Sequence, residues 1–348
     1  MKKRIGIACN VLGFSGGMER YAIDIAMEFV SRGDEVVFYA KKVDEKLREQ
    51  LGVEAQICHC GFIPLKLQPL YFSKWLESRA DEVDVMIACC RTSAANVYVC
   101  GGTHIGFLKS TNKQYKWYDK LYIGLERRAY TNARLIVSHS ELMTKELISL
   151  YGVDKKKIFT AYPPVSGENF SRASVDYKYE MRKKLGIACD AKAFLFVSSS
   201  HERKGYPLLE EYFSKTNLPI LLLVAGRPIP SENKHIRYIG YRKDIADLYK
   251  AVDYTILAST YEPFGLVGVE SVLCGTPVVL ANNIGCCDVI SDVAKATFKA
   301  GDLNSLDQAI RSILNSPVTE CGSEQVSSPT SVAAHVDLLE KALQNYLF

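Results

Sequence analysis

Short apolar runs alternate with helical segments along this chain, and that alternation constrains the fold more than any other feature. Residues 251–281 show it most clearly, because they predict a strand at Tyr254–Ala258, a Pro/Gly loop, a helix over about Gly265–Cys274 and a strand at Pro277–Ala281. Strands joined through a helix pair in parallel. Repeated over 348 residues, the pattern predicts an α/β protein with parallel sheets covered by helices on both faces.

The chain is longer than a single hydrophobic core usually supports, so two domains are expected. Residues 159–165 contain two adjacent prolines, which interrupt regular structure and predict an interdomain linker. We therefore expect an N-terminal domain at 1–163, a C-terminal domain at 164–330 and a terminal helix within 331–348. Both domains are predicted to be doubly wound, with a ligand cleft between them beyond the carboxyl ends of the strands.

Apolar runs and helix caps give the remaining predicted elements. Ser140 is expected to cap a helix that ends at Gly152. The other predicted strands are Arg4–Asn10, Glu35–Ala40, Val85–Ala88, Ala95–Cys100, Leu135–His139, Phe194–Ser198, Ile220–Ala225 and Ile236–Gly240, and the other predicted helices are Met18–Ser31, Lys120–Thr131 and Val332–Tyr346.

Composition excludes several function classes. The formal net charge is only +4, with the positive excess in residues 1–165, which is too mild to indicate nucleic-acid binding. The eleven cysteines form no C-x-x-C pair and are not spaced as zinc ligands, so we expect buried thiols in a reducing compartment and no metal. No apolar run approaches the ~20 residues that span a bilayer. These observations predict a soluble cytoplasmic protein.

The loop within 251–281 is suited to bind a nucleotide without a metal. N–H groups of Phe264, Gly265 and Leu266 precede or begin a helix, where backbone amides favour an anion such as a phosphate. Glu270 lies about five residues further, or ~7 Å along the helix axis, where a carboxylate can accept hydrogen bonds from a ribose. Glu262 in the loop can accept from hydroxyls of the group that the diphosphate carries.

Glu262 and Glu270 are separated by seven residues, within the sequence EPFGLVGVESVLCGTPVV. This E-x7-E pattern and its frame resemble the retaining glycosyltransferases of family four. The resemblance implies the GT-B arrangement, in which the final helix returns to the N-terminal domain. It also implies a nucleotide sugar as donor substrate, retention of configuration and no separate cofactor. No Asp-x-Asp motif is evident, so independence from metal is expected.

Two glycine-rich turns in the first half extend this resemblance. Gly16, Gly17 and Glu19 match the family's GG-x-E turn, which lies at the donor diphosphate and, through the glutamate, at the acceptor. The sequence GGTH ending at His104 resembles the corresponding turn of family members that build lipopolysaccharide core. There the resemblance implies that His104 binds a hydroxyl of the donor sugar. A packing turn and a purely structural histidine remain the alternatives.

The second half carries the expected phosphate and base contacts. Arg203 and Lys204, followed by a glycine, resemble the RKG motif whose cations neutralise the leaving diphosphate. Gly226, Arg227 and Tyr241 stand where the family contacts the base. Residues 284–288 replace the commoner GG-x-x-E loop, so no role is assigned to them.

Two segments, 62–79 and 107–130, mix lysine and arginine with exposed-type aromatics. This mixture is typical of peripheral contact with an anionic membrane, and equally of a solvated helix face above core aromatics. No module for nucleic-acid recognition accompanies them.

Taken together, the residues and the resemblance predict a retaining, metal-independent hexosyltransferase. We expect a hexose carried by UDP to be transferred to a glycan or glycolipid of lipopolysaccharide core or another surface polysaccharide. A GDP-mannose-dependent mannosyltransferase, a GT-B sugar-nucleotide epimerase and a non-catalytic glycan-binding protein remain open. A dinucleotide-dependent oxidoreductase is disfavoured because no G-x-G-x-x-G fingerprint occurs.

Overall fold

The computed structural model describes residues 2–14, 16–167, 169–188, 190–317 and 321–347. The chain divides into two compact units, one formed by residues 1–163 with 332–348 and the other by residues 164–331. Each unit is built on a large parallel sheet with helices, and the first unit also contains a small sheet formed by Val11–Leu12 and Lys42–Val43, so the predicted α/β class is confirmed.

The first unit contains nine strands and seven helices among its described residues. The strands are β1 (Arg4–Ala8), β2 (Val11–Leu12), β3 (Glu35–Ala40), β4 (Lys42–Val43), β5 (Glu54–Ile57), β6 (Val85–Ala88), β7 (Val97–Cys100), β8 (Leu135–Ser138) and β9 (Ile158–Thr160). The helices are α1 (Gly17–Ser31), α2 (Glu45–Leu51), α3 (Gln68–Glu77), α4 (His104–Ser110), α5 (Trp117–Asn132), α6 (Glu141–Tyr151) and the terminal α13 (Val332–Leu347).

The second unit contains six strands and six helices among its described residues. The strands are β10 (Lys192–Ser198), β11 (Ile220–Gly226), β12 (Ile236–Tyr238), β13 (Tyr254–Leu257), β14 (Val278–Ala281) and β15 (Lys295–Phe298). The helices are α7 (Val175–Lys184), α8 (His201–Lys204), α9 (Tyr206–Lys215), α10 (Ile245–Ala251), α11 (Leu266–Leu273) and α12 (Leu303–Asn315).

Strand order places a switch point in each sheet. In the first unit the order is β5-β3-β1-β6-β7-β8-β9, so the chain runs outward in both directions from β1 and β6. In the second unit the order is β12-β11-β10-β13-β14-β15, and the reversal falls between β10 and β13. In such sheets, ligands bind in a crevice beyond the carboxyl ends of the strands at the switch point.

Helix α13 is part of the first unit. Its apolar face buries Val336, Leu339 and Leu343 in the same core cluster as residues of α1 and β1. Arg32, which ends α1, donates to Glu340 at 2.9 Å and lies 2.8 Å from Asp337. Burial of several aliphatic side chains at ~1.5–3 kcal/mol each fixes this helix far more strongly than its exposed ion pairs do.

The structure corrects three sequence-based predictions. Residues 158–160 form edge strand β9, which pairs with β8, so the predicted linker at 159–165 begins too early. Strands β5 and β15 were missed because their sequences, EAQI and KATF, are too polar to read as buried strands. His104 does not sit in an open turn but begins α4.

Within the described ranges, no helix combines the length and the apolar character needed to cross a bilayer.

Candidate active site

The switch point of the second sheet brings two loops together. One loop follows β10 and carries α8, which ends in Arg203 and Lys204; the other follows β13 and carries Glu262. Because β10 and β13 are neighbours and parallel, both loops leave the sheet at the same edge. Residues nearly sixty positions apart in sequence thereby become direct neighbours.

Both cations bind the same carboxylate oxygen. Lys204 Nζ donates to Glu262 Oε2 at 2.6 Å, and Arg203 Nη1 donates to that oxygen at 3.2 Å. Arg203 Nη1 also donates to the Tyr261 carbonyl at 3.0 Å, and Ser259 Oγ donates to Glu262 Oε2 at 3.2 Å. We call Arg203, Lys204 and Glu262 the cation–carboxylate cluster. Two cations face one anion in it, so its net charge favours a further anionic group.

Gly205 makes the close packing of these loops possible. It has a left-handed backbone with φ of 80°, and a Cβ placed on it would overlap the Ala258 carbonyl. Thr260 completes the contact by donating its N–H and its hydroxyl to the Arg203 carbonyl, at 2.9 and 3.2 Å. Only glycine readily adopts this left-handed backbone and also leaves room for the Ala258 carbonyl. This explains why a glycine follows the two cations.

The surroundings of Glu262 keep its carboxylate ionised. Burial alone would raise the pKa of this carboxyl, since only 13% of the side chain is exposed, but the charges of Lys204 and Arg203 outweigh it and lower the pKa. At neutral pH the cluster therefore holds a permanent carboxylate beside two cations.

The loop after β13 continues into α11 through Gly265. This residue is left-handed, with φ of 91°, and a Cβ there would stand 2.9 Å from Ile284. Residues 284–288, to which no role was assigned from sequence, include a short 3-10 helix at Gly285–Asp288 that supports this loop. Gly285 N–H donates to the Glu262 carbonyl at 3.2 Å, and Cys286 N–H donates to the Phe264 carbonyl at 2.6 Å. The turn therefore buttresses the predicted donor-binding segment Phe264–Leu266.

Glu270 lies on α11, as the sequence predicted, where it accepts a hydrogen bond from the Tyr249 hydroxyl at 2.8 Å. Tyr249 is fully buried, and burial followed by the neighbouring carboxylate raises the pKa of its phenol well above the ordinary value. The phenol therefore stays protonated and fixes the orientation of Glu270.

The residues predicted to contact the base lie at the ends of β11 and β12. Gly226 ends β11, where its N–H donates to the Gly240 carbonyl at 2.9 Å and its carbonyl accepts from the Tyr238 hydroxyl at 2.8 Å. Arg227 is exposed, and Tyr241 exposes 79% of its surface. The structure therefore places the three predicted residues at the same edge of the sheet as the cation–carboxylate cluster.

His201, to which the sequence analysis assigned no role, ties these loops together. Its Nδ1 lies 3.0 Å from Ser198 Oγ, and its Nε2 lies 3.0 Å from the Arg227 carbonyl. The ring thus links α8 to the loop after β11. Its position directly before Glu202 and the two cations was the available signal, but a histidine at that place does not reveal its partners.

In the first unit, the two predicted glycine turns are adjacent. Gly16 precedes α1, Gly17 begins it and Glu19 lies in its first turn. The Met18 side chain occupies the space beside Gly101, since a Cβ on that glycine would overlap its sulfur. The turn before α1 and the GGTH turn after β7 therefore meet at the carboxyl edge of the first sheet.

His104 is held by a buried carboxylate. Its Nε2 lies 2.7 Å from Asp119 Oδ1, and Asp119 also accepts from the Lys116 N–H at 2.6 Å. Burial would raise the pKa of Asp119, but these hydrogen bonds and the His104 ring outweigh it and lower that pKa. An ionised Asp119 accepts the Nε2 proton, which leaves Nδ1 of a neutral His104 as an acceptor for a hydroxyl.

A second buried carboxylate, which sequence reasoning missed, fixes the start of α4. Glu126 is 1% exposed and accepts from Arg91 Nη2 at 2.8 Å, from the His104 N–H at 3.0 Å and from the Tyr151 hydroxyl. Arg91 in turn compensates the charge of this carboxylate. This network fixes the backbone of His104, and Asp119 fixes the orientation of its ring. Two separate buried carboxylates therefore hold the histidine in place.

Among the described residues, no group of three or more His, Cys, Asp or Glu side chains is arranged to hold a metal ion. Arg203 and Lys204 supply positive charge to a bound anion at this site. Such a pair can neutralise a diphosphate and stabilise its departure.

Solved structures share the whole fold. WaaG, described as a glycosyltransferase involved in lipopolysaccharide biosynthesis, superposes with a TM-score of 0.78 at 17% identity, covering 99% of each chain. Anabaena Alr3699/HepE, solved in complex with UDP and glucose, gives a TM-score of 0.73 at 18% identity, again over 99% of each chain. These likenesses define the fold class as GT-B.

Sequence relatives define the family. Residues 15–168 match the model described as Glycosyltransferase Family 4, and residues 178–325 match Glycosyl transferases group 1. A protein of Burkholderia thailandensis named probable transglycosylase is 43% identical over 98% of this chain and 97% of its own. A D-inositol 3-phosphate glycosyltransferase of Catenulispora acidiphila is 27% identical over 52% of this chain and 48% of its own. The chain belongs to family four of the glycosyltransferases.

Proposed function

We propose that this glycosyltransferase moves a hexose from a nucleotide sugar, most simply a UDP-hexose, to a glycan or glycolipid hydroxyl with retention of configuration. The observation that carries the proposal is the cation–carboxylate cluster at the switch point of the second sheet. Its two cations share one carboxylate, so a diphosphate entering the crevice gains positive charge that Glu262 does not fully neutralise.

In this proposal each residue of the second unit has a defined task. Arg203 and Lys204 stabilise the departing diphosphate, and the amides from Phe264 to Leu266 contact its oxygens. Glu262 accepts hydrogen bonds from the donor sugar, and Glu270 accepts them from the ribose. Backbone and side-chain groups at Gly226, Arg227 and Tyr241 contact the base.

The first unit supplies the acceptor side. Nδ1 of His104 accepts a hydrogen bond from a donor-sugar hydroxyl, because Asp119 holds the proton of the ring on Nε2. Gly16 and Gly17 allow close approach of the donor, and Glu19 orients the acceptor. A phosphate oxygen of the donor then takes the proton of the incoming hydroxyl on the same face, which requires neither a metal ion nor a second carboxylate pair.

The experiment that tests this proposal is a donor screen. UDP-glucose, UDP-galactose, UDP-N-acetylglucosamine and GDP-mannose are each incubated with the protein, with and without cell-envelope glycolipid, in EDTA. Transfer or slow hydrolysis of one donor, with retained anomeric configuration by NMR, is expected. An epimerase converts a donor without acceptor, and a transglycosylase, as the Burkholderia relative is named, transfers sugar from a glycan instead. Failure of every nucleotide sugar contradicts the proposal.

We further propose that the first unit contacts an anionic membrane surface, which suits a glycolipid acceptor in surface-polysaccharide synthesis at the cytoplasmic face. Phe62, Leu65 and Trp117 expose 72%, 73% and 64% of their surface. The Lys66 ammonium lies 4.6 Å from the Tyr118 ring centre, so segments 62–79 and 107–130 adjoin.

Burial of acids leaves this surface cationic. Segment 107–130 carries six lysines and arginines, and its two acids, Asp119 and Glu126, are both buried in the hydrogen bonds described above. Each exposed cation is worth ~1 kcal/mol near an anionic leaflet. Co-sedimentation with phosphatidylglycerol vesicles, but not phosphatidylcholine vesicles, is expected. Trp117→Ser should weaken binding, whereas the exposed Val293→Ser in the second unit should not; equal binding by both variants contradicts this contact.

A further inference from the structure

A cavity of about 560 Å³ opens in the second unit at the amino ends of β10, β13 and β14. Lys192 begins β10, Tyr254 begins β13 and Pro277 directly precedes β14, and all three line it. The cation–carboxylate cluster lies at the opposite, carboxyl edge of this sheet. The seven residues of β10 separate the two edges by ~20 Å at ~3.3 Å per residue. This cavity is therefore distinct from the proposed donor site.

Its lining is cationic. The wall contains one acidic side chain, that of Asp253, and four basic ones. The basic side chains belong to Arg172, Lys178, Lys192 and Lys250. Asp253 is already compensated, because Arg182 donates to it at 2.8 Å and the Ala193 N–H donates to it at 2.9 Å. The positive charge of the wall is therefore not neutralised from within.

The lysines of the wall have weak or no ionic partners. Lys178 Nζ is 3.5 Å from Asp253, and Lys250 Nζ is 3.7 Å from Asp247, which is long for a hydrogen-bonded pair. Lys192 is exposed and makes no ion pair with any described residue. Arg172, by contrast, is held by the Cys321 carbonyl and Glu324. Three ammonium groups on three different elements thus line one space.

The helix that borders the cavity depends on polar contacts. Met181 is the buried residue of α7, and Ser174 caps its start by accepting from the Tyr177 N–H at 3.2 Å. Tyr177 OH donates to Asp247 on the neighbouring α10 at 2.6 Å. An anion bound between Lys178 of α7, Lys250 of α10 and Lys192 of β10 would tie α7, in which Met181 alone is buried, to two elements of the core.

We propose that this cavity binds a small phosphorylated metabolite, separately from the donor, and that its occupation stabilises the second unit. The volume lies in the range of small-molecule sites, ~300–1,000 Å³. The cavity recognises the phosphoryl group of this ligand. Lysine ammonium groups act as point charges and can bind a phosphoryl group from any direction. A ligand that binds only the folded state raises stability by mass action.

Inorganic pyrophosphate is a suitable probe. Its binding to the donor site must first be weakened, so that the titration reports on the cavity. In a Lys204→Gln background, isothermal titration is expected to show saturable binding of one pyrophosphate and a rise in melting temperature. Adding Lys192→Glu should weaken this binding at least tenfold. Lys234→Glu, the same charge change at another exposed position of the second unit, should weaken it less than twofold.

Two results would overturn the proposal. One is the absence of pyrophosphate binding in the Lys204→Gln protein; the other is an equal loss of affinity in the Lys192→Glu and Lys234→Glu proteins, which indicates a general charge effect. Lys192 makes no ion pair with a described residue, so Lys192→Ala is available as a milder variant if the Glu replacement disturbs folding. It should still lower affinity severalfold, and unchanged affinity would count against the cavity.

Discussion

Lys204 Nζ and Glu262 Oε2 lie 2.6 Å apart, although 57 residues separate them along the chain. The contact exists because β10 and β13 are parallel neighbours whose following loops leave the same edge of the sheet. It places Lys204, whose cation should attract a bound diphosphate, beside Glu262, whose carboxylate should repel it. Removing each charge in turn therefore distinguishes a diphosphate site from a structural ion pair.

Glu262→Gln removes the anion while leaving both cations in place. UDP should bind as tightly as before or up to ~10-fold more tightly, because Arg203 and Lys204 are no longer partly neutralised. Transfer should nevertheless slow by ~10²-fold, the effect of losing one well-placed polar contact in a transition state. Calorimetry with UDP and initial rates measure the two effects. Glu202→Gln, an exposed neighbour, is the matched control; an unchanged transfer rate in Glu262→Gln would favour a non-catalytic role.

Gly205→Ala tests the packing of the two loops. A Cβ there meets the Ala258 carbonyl in a left-handed backbone, so we expect a loss of about 2–4 kcal/mol of unfolding free energy and strongly reduced transfer. Gly33→Ala is the control, because Gly33 is also left-handed but has no atom within 4 Å of the added methyl. It should cost only about 1–2 kcal/mol. If Gly205→Ala and Gly33→Ala lose the same free energy of unfolding in urea, the close approach at Gly205 does not contribute to stability.

Asp119→Asn tests whether this carboxylate positions the His104 ring. An amide nitrogen facing Nε2 moves the ring proton to Nδ1, so the acceptor for the sugar hydroxyl is lost. We expect kcat to fall ~10-fold or more. A merely structural role would lower the melting temperature and leave kcat of the folded protein unchanged.

The first unit should lose stability in mild acid. Burial lowers the pKa of His139 to about 3 and that of His335 to about 4, and the two rings flank Tyr21, whose hydroxyl lies 2.8 Å from His335 Nε2. Below pH ~6.5 the unfolded chain binds protons that the folded one does not, so the free energy of unfolding falls as pH decreases. We expect about 2 kcal/mol per histidine between pH 6.5 and 5.

Thermal or urea unfolding at several pH values measures this dependence. His335→Gln should flatten the slope below pH 6.5, while His59→Gln, at an exposed position, should leave it unchanged. Identical slopes in the wild type and His335→Gln would show that this histidine does not carry the acid sensitivity.

The sequence revealed those parts of the fold whose signals are local. Buried parallel strands such as Tyr254–Leu257 read as continuous apolar runs, and the Ser140 cap with the Gly152 terminus marked both ends of α6. Edge strands β5 and β15 escaped detection because solvent on one side permits polar residues.

The site was only partly visible for a related reason. Arg203, Lys204 and Glu262 were singled out by their motifs, but the binding of both cations to one oxygen of Glu262 depends on strand order. The Arg91–Glu126–Tyr151 network joins three elements with no spacing pattern between them. Glu126 appeared to be one of two acids on a basic surface segment, and only burial reveals its structural task.

Calorimetric titration of UDP and GDP measures whether the cation–carboxylate cluster binds a nucleoside diphosphate. Wild type, Lys204→Gln and the exposed control Lys234→Gln are compared at constant salt. We predict that one of the two nucleotides binds the wild type and the control with 1:1 stoichiometry, and that Lys204→Gln weakens it at least tenfold. No binding of either nucleotide, or equal affinity in the wild type and Lys204→Gln, would contradict the account.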